Sequence, residues 1–162
     1  PLGEMIPEVN SLGGTHSSGR IDMFEDGIMD LKSREIYEAP AATIILKLHR
    51  DLEQFCLTKD EIQVKKGIDQ KWAYLIYHGM AYHPLRSDLD AFIEQSQKVV
   101  NGKYRIKLFK GNIEIVYRES KTSLFSPEIR SIKATGFDQR RCADAAFVRG
   151  LPFEILAKRK KK

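Results

Sequence analysis

Cysteine is scarce in this chain. Cys56 and Cys142 are the only 2 among 162 residues, too few for a disulfide framework. They read as the reduced thiols of an intracellular protein. Long apolar runs are missing as well. No stretch approaches the roughly 20 residues that a membrane-spanning helix needs, and there is no secretory leader pattern. The histidines, His16, His49, His78 and His83, fall into no Cys-x-x-Cys or His-Glu-x-x-His arrangement, which excludes the common zinc signatures. No Gly-x-Ser-x-Gly elbow supports a serine hydrolase. Neither Gly-x-x-x-x-Gly-Lys-Ser/Thr nor Gly-x-Gly-x-x-Gly occurs. The glycine-rich run "LGGTHSSG" at 12–19 follows no apolar strand, so a self-contained ATP site is not visible.

Charge of one sign is also absent from the body. The net +5 is carried by Lys158, Arg159, Lys160, Lys161 and Lys162, which leaves residues 1–157 neutral. The tail reads as a solvated terminus rather than a phosphate-binding stripe. Pro1-Leu2-Gly3, without an initiator Met, reads as the scar of tag cleavage, and the chain as one domain of something longer.

What is present is an ordered series of periodic segments. Residues 1–18 are rich in Gly, Ser and Pro and predict a flexible lead-in. Residues 20–26 and 28–37 predict two strands turning near Asp26-Gly27. Pro40 opens a helix whose buried face is Ile44, Ile45, Leu48, Leu52 and Phe55. Thr58-Lys59-Asp60-Glu61 has the form of a capping box. The helix behind it carries Ile68, Trp72, Leu75, Ile76 and Met80 and ends at His83-Pro84. Ser87 to Asp90 starts a third, with Leu89, Phe92, Ile93, Ser96 and Val100 inward and a stop at Asn101-Gly102.

The period then changes to two. Tyr104, Ile106 and Leu108, then Ile113, Ile115 and Tyr117, alternate about Lys110-Gly111-Asn112, which predicts a hairpin. Its other face carries Lys103, Arg105, Lys107, Glu114 and Arg118. A short strand is expected at 129–132 and a last helix from Asp138 to Gly150, interrupted by Pro152. The whole reads as an α+β domain over 19–157, with antiparallel strand hairpins packed with about four helices and a basic tail at 158–162. Tyr104, Phe109 and Tyr117 beside basic residues can stack nucleic-acid bases. The alternation instead assigns the aromatics to the core and the lysines to water, so the expected partners include no nucleic acid and no membrane.

One segment resists a purely structural account. "GRIDMFEDGIMDLKSREIYEAP", from Gly19 to Pro40, places Glu25 and Tyr37 near the ends of adjoining strands. A carboxylate there accepts hydrogen bonds from an ammonium or from ureido N–H groups, and a phenol both donates and accepts. The competing reading pairs Glu25 with Lys32 or Arg34 in an exposed ion pair of about 0–1 kcal/mol.

These residues carry a resemblance. "GRIDMFED" followed by "LKSREIYEAPAATIILKLHRDLE" resembles the C-terminal half of argininosuccinate synthase. Family members read close to G-x-H-G-x-G-R-I-D-x-x-E-N-R, then K-S-R-x-x-Y-E-T-P-x-x-T-I-L, then H-x-D-L/I-E. His16, Gly19, Arg20, Ile21, Asp22, Glu25, Lys32, Ser33, Arg34, Tyr37, Glu38, Pro40, Thr43, Ile44, His49, Asp51 and Glu53 match without a gap. Downstream, "KYRIKLFKGNIEIVYRESKTSLFSPEI" is similar to the family's strand–K-G–strand unit, and "ADAAFVRGLP" to a shortened form of its ending. Ser17-Ser18, Asp26-Gly27, Ala39 and Ala42 depart from the pattern and mark a divergent member.

The resemblance implies a cytoplasmic ligase of arginine biosynthesis and the urea cycle. ATP, with magnesium, adenylates the ureido oxygen of citrulline and releases pyrophosphate. The amine of aspartate then attacks the citrullyl-adenylate to give argininosuccinate and AMP. In the family the nucleotide sits in an N-terminal domain whose Ser-Gly-Gly-x-Asp-Thr-Ser loop is not found here, so no cofactor is expected in this chain, and the fragment alone is expected to be inactive. The family's citrulline-contacting glutamate and tyrosine fall on Glu25 and Tyr37, as positioning rather than proton-transfer groups. No ligand is assigned to Arg20, Lys32 or Arg34. The family's domain also builds much of a homotetramer, with the C-terminal helix as an arm. The alternative is a non-enzymatic amino-acid-binding or self-association module derived from the family.

Overall fold

The structure is a computed structural model that describes residues 2–127, 138, 140 and 142–159. The chain divides into two compact units, Pro1–Phe125 and Ser126–Lys162. In the first, helix α1 (Leu2–Thr15) precedes hairpin β1 (Arg20–Asp26) and β2 (Lys32–Glu38). Helices α2 (Pro40–Cys56), α3 (Lys59–Tyr77) and α4 (Pro84–Gln97) follow, then hairpin β3 (Lys103–Phe109) and β4 (Asn112–Glu119). Each hairpin is a separate antiparallel two-stranded sheet. The α+β class with antiparallel hairpins is therefore as expected.

The lead-in is helical rather than a loop. α1 packs on α2, and a tertiary partner accounts for it. A side chain at Gly13 would put a Cβ 2.6 Å from Pro40 Cβ, so glycine there permits the close crossing. Asn10 Oδ1 accepts the Ala41 N–H at 2.8 Å. Ala39 offers α2 no side-chain cap, so a residue distant in sequence satisfies a donor that the helix start leaves open. Pro7 lies inside α1 and removes one backbone bond, a weak local signal that packing overrides.

Local signals decided the other helix ends. Pro40 opens α2. The capping box at Thr58 is formed, with the Glu61 carboxylate accepting the Thr58 N–H at 2.8 Å. α3 stops at Tyr77, earlier than expected. Gly79 turns at φ +70, Met80 N–H donates to Leu75 O at 2.8 Å and Gly79 N–H to Ile76 O at 3.1 Å. This is the paired bonding of a Schellman stop, and it puts Met80 outside the helix. His83 and Pro84 begin α4 rather than ending α3: His83 Nδ1 accepts the Leu85 N–H at 3.1 Å and Pro84 takes the first helical position. α4 ends at Gln97, ahead of the expected stop.

The β3–β4 hairpin also departs from its expected face. Arg105 pairs with Tyr117 but Ile106 pairs with Ile115, so Val116 is an extra residue in the ladder. A bulge of this kind shifts the alternation by one. Tyr117 therefore faces outward beside Arg105, whose guanidinium lies 5.9 Å from its ring centre. Arg118 turns inward instead, and Phe109 is exposed too. Arg118 and Tyr104 both reach Asp51 of α2. The Tyr104 hydroxyl donates at 2.7 Å, Arg118 Nε at 2.9 Å and Nη2 at 3.0 Å. Lys47 Nζ donates to Ile113 O on the same seam.

The core is made of Ala41, Ile44, Cys56, Leu57, Leu75 and Ile113. Lys65 is buried among the helices, with Nζ 2.9 Å from Glu53 Oε1 and 2.6 Å from Asp69 Oδ2. The expected inner residues of α4, Leu89, Phe92, Ile93, Ser96 and Val100, are all half-buried.

In the second unit, helix α5 spans Cys142–Arg159. It starts later than the expected Asp138 and contains Pro152 instead of breaking there. Phe147, Val148 and Phe153 are exposed on it. The strand expected at 129–132 and residues 160–162 of the tail lie outside the described residues.

Candidate functional site

The β1–β2 hairpin sorts its charges by face. Strand periodicity puts Arg20, Asp22, Phe24 and Asp26 on one side, with Lys32, Arg34, Ile36 and Glu38 opposite them in the register. On this outer face the ions pair among themselves. Arg20 Nε meets Glu38 at 2.9 Å, Arg34 Nη2 meets Asp22 at 2.5 Å and Lys32 Nζ meets Asp26 at 2.6 Å. The Arg34 guanidinium holds the Asp22 carboxyl below the usual carboxylate range. Arg20, Lys32 and Arg34 are thus engaged in structural ion pairs, and both cations once open as partners for Glu25 are taken.

The other face carries Ile21, Met23 and Glu25 on β1, and Ser33, Glu35 and Tyr37 on β2. Glu25, Ser33 and Glu35 are half-buried. Glu25 and Tyr37 meet diagonally: the Tyr37 hydroxyl donates to Glu25 Oε1 at 2.8 Å. This hydrogen bond, then burial, then the charges of Glu25 and Glu35 push the phenol up to about 12. Tyr37 therefore stays protonated at neutral pH and keeps its donor. The hairpin's three cations are all on the opposite face, so among the described residues the carboxylates of Glu25 and Glu35 stand on this face beside a phenol and without an ion-pair partner. Carboxylate and phenol oxygens of this kind are hydrogen-bond acceptors suited in chemistry to ammonium, guanidinium or ureido N–H groups.

At the open end, Gly27 N–H bonds Leu31 O at 2.9 Å to close the loop. Tyr77, the last residue of α3, donates to Asp26 O at 3.4 Å. No pattern in the sequence tied Tyr77 or Glu35 to the Glu25–Tyr37 pair; register and the end of α3 bring them there. At the base, Ala39 N–H bonds Gly19 O at 2.9 Å. Ser17 stands in the left-handed region at φ 56, and Ser18 is buried with no partner for Oγ among the described residues.

The family model for the argininosuccinate synthase C-terminal domain matches residues 2–156. This chain belongs to the argininosuccinate synthase C-terminal domain family. It is 44% identical over 158 residues to the argininosuccinate synthase of Crocosphaera subtropica, which covers 97% of this chain and 40% of that protein. The enzyme of the same name from Methanopyrus kandleri is 41% identical over 157 residues, with 97% and 40% covered. That from Synechococcus elongatus is 43% identical over 152 residues, with 93% and 38% covered. The chain thus spans about 40% of the length of these relatives. Among the described residues no helix is long and apolar enough to cross a membrane, and no group of three or more His, Cys, Asp or Glu is gathered to hold a metal ion.

Proposed function

We propose that this chain is the synthetase and oligomerisation domain of a cytoplasmic argininosuccinate synthase, an ATP-dependent carbon–nitrogen ligase. The full-length enzyme joins citrulline to aspartate. ATP adenylates the ureido oxygen of citrulline with loss of pyrophosphate, and the aspartate amine displaces AMP. Glu25 and Tyr37 form one wall of the citrulline site. Glu25 accepts hydrogen bonds from citrulline N–H groups, and Tyr37, whose one hydroxyl proton goes to Glu25, supplies a directional acceptor. Both position the substrate and neither moves a proton in the chemical step. ATP, with magnesium as its counter-ion, is bound by a nucleotide-binding domain outside this chain, and by itself the domain has no ligase activity. Exposed apolar residues such as Phe24, Met29 and Phe147 serve contacts with that domain and with other subunits of a homotetramer.

The observation that carries this reading is the 2.8 Å Tyr37–Glu25 bond on the cation-free face of the hairpin, in a chain of this family. Pyrophosphate release from ATP, citrulline and aspartate by the full-length protein tests it. Glu25→Gln should raise the citrulline KM roughly tenfold or more, the range expected for losing a charge-assisted hydrogen bond, with a smaller change in kcat. No release from a folded, ATP-binding wild type would refute the ligase reading and favour the amino-acid-binding module.

A further inference from the structure

The hairpin that carries Glu25 and Tyr37 is held at two places. At its base the Ala39–Gly19 backbone bond joins the two strands to each other, and the Asn10 side chain of α1 accepts the N–H of Ala41 just beyond them. Glu25 lies near the far end of β1, roughly 17–20 Å along a strand of this length. A small rocking at the base therefore becomes a large displacement at Glu25. Among the described residues, one hydrogen bond reaches that far end from the helices: the Tyr77 hydroxyl to the carbonyl of Asp26, at 3.4 Å. Asp26 directly follows Glu25, so this bond holds the Asp26–Gly27 peptide, one residue beyond the carboxylate assigned to the substrate.

Tyr77 is itself well placed to act as a fixed post. It ends α3, where the bonds of Gly79 and Met80 close the last turn. Its ring meets His78 edge-on, with centres 5.4 Å apart. His78 stacks on Tyr74 at 4.0 Å and bonds the Tyr74 carbonyl through Nδ1 at 2.9 Å. Lys71 Nζ lies 4.5 Å from the centre of the Tyr74 ring.

We propose that Tyr77 is a positioning residue of the amino-acid site, holding the far end of the β1–β2 hairpin so that Glu25 and Tyr37 stand where the substrate needs them. This rests on the assignment of Glu25 and Tyr37 to citrulline. Tyr77 touches the hairpin backbone rather than the substrate. Its effect is confined to the affinity for citrulline, because displacement of a binding group weakens binding without altering a reacting atom.

The test is steady-state kinetics on the full-length enzyme carrying Tyr77→Phe, which removes the hydroxyl and keeps the ring. Glu25→Gln and Tyr37→Phe are run in the same assay. The expected result is a citrulline KM raised roughly two- to threefold, the lower end of the range of one neutral hydrogen bond, since this one is long. The KM for ATP and for aspartate, kcat and the melting temperature stay near wild type. Tyr77→Phe combined with Glu25→Gln should raise the citrulline KM by less than the product of the two single effects. An unchanged citrulline KM in Tyr77→Phe, beside raised values in Glu25→Gln and Tyr37→Phe, overturns this inference and leaves the site reading intact. A joint rise of citrulline and ATP KM with a lowered melting temperature marks Tyr77 as merely structural and also overturns it. Unchanged citrulline KM in all three variants removes the site reading and this inference together.

Discussion

Asp51→Ala should unmoor the β3–β4 hairpin from α2. Three hydrogen bonds end on this carboxylate, from the Tyr104 hydroxyl at 2.7 Å and from Arg118 Nε and Nη2 at 2.9 and 3.0 Å. The Tyr104 hydroxyl sits on the half-buried seam, and without Asp51 it loses its acceptor, at a cost of about 1–2 kcal/mol. The Arg118–Asp51 pair is partly exposed, with side chains 44% and 29% accessible, so solvent screening limits its share to about 0.5–1 kcal/mol. The sum is a loss of about 1.5–3 kcal/mol. For a chain of this size that corresponds to a melting temperature lowered by roughly 3–12 °C. Asp51→Asn retains an acceptor for Tyr104 and removes the charge, so it should lose only about 1 kcal/mol. Thermal melts followed by circular dichroism, with urea titration for the free energies, measure both. If Asp51→Ala melts within 2 °C of wild type on the order of the assay error, the carboxylate is not what holds the hairpin, and the stabilising role given to the inward turn of Arg118 is wrong.

Two further outcomes concern the site hairpin. Tyr37 should titrate near 12 by NMR of the labelled phenol carbon, and Glu25→Gln should return it toward the ordinary value near 10. Because the folded phenol is raised above its unfolded value, its contribution to stability is complete below about pH 10. It declines as the pH rises from there toward about 12; a Tyr37 signal that already ionises near 10 in the wild type removes the hydrogen bond from the account. Ser17→Gly should raise stability by about 0.5–1 kcal/mol, since Ser17 holds φ 56 and glycine adopts that region without the Cβ penalty. A lowered melting temperature would show that the serine side chain compensates for its backbone.

Much of the fold was legible because it rests on interactions between near neighbours in the chain. The Pro40 start of α2 and the Thr58–Glu61 box each involve groups within one helical turn, so residue type and spacing sufficed. The alternation of β1 with β2 likewise placed Glu25 and Tyr37 on adjoining strands, and the family pattern carried by the same residues singled them out. What failed was decided by partners distant in sequence or by one extra residue in a ladder. α1 exists because Asn10 and Gly13 meet the start of α2. Alternation alone sends Tyr117 inward and Arg118 outward, and a bulge at Val116 reverses both.

The sequence by itself determined the α+β class and the family, and it singled out the pair of residues we propose for the substrate, because composition, local periodicity and ordered motifs are properties of the chain in one dimension. Only the tertiary structure decided which groups that pair would meet. Register sent the cations of the hairpin to the opposite face, left Glu25 to the phenol of Tyr37, and brought Tyr77 from the end of α3 to the carbonyl beside it. Those contacts depend on which face of a strand each side chain takes and on how a helix end meets a hairpin, and packing in three dimensions settles both.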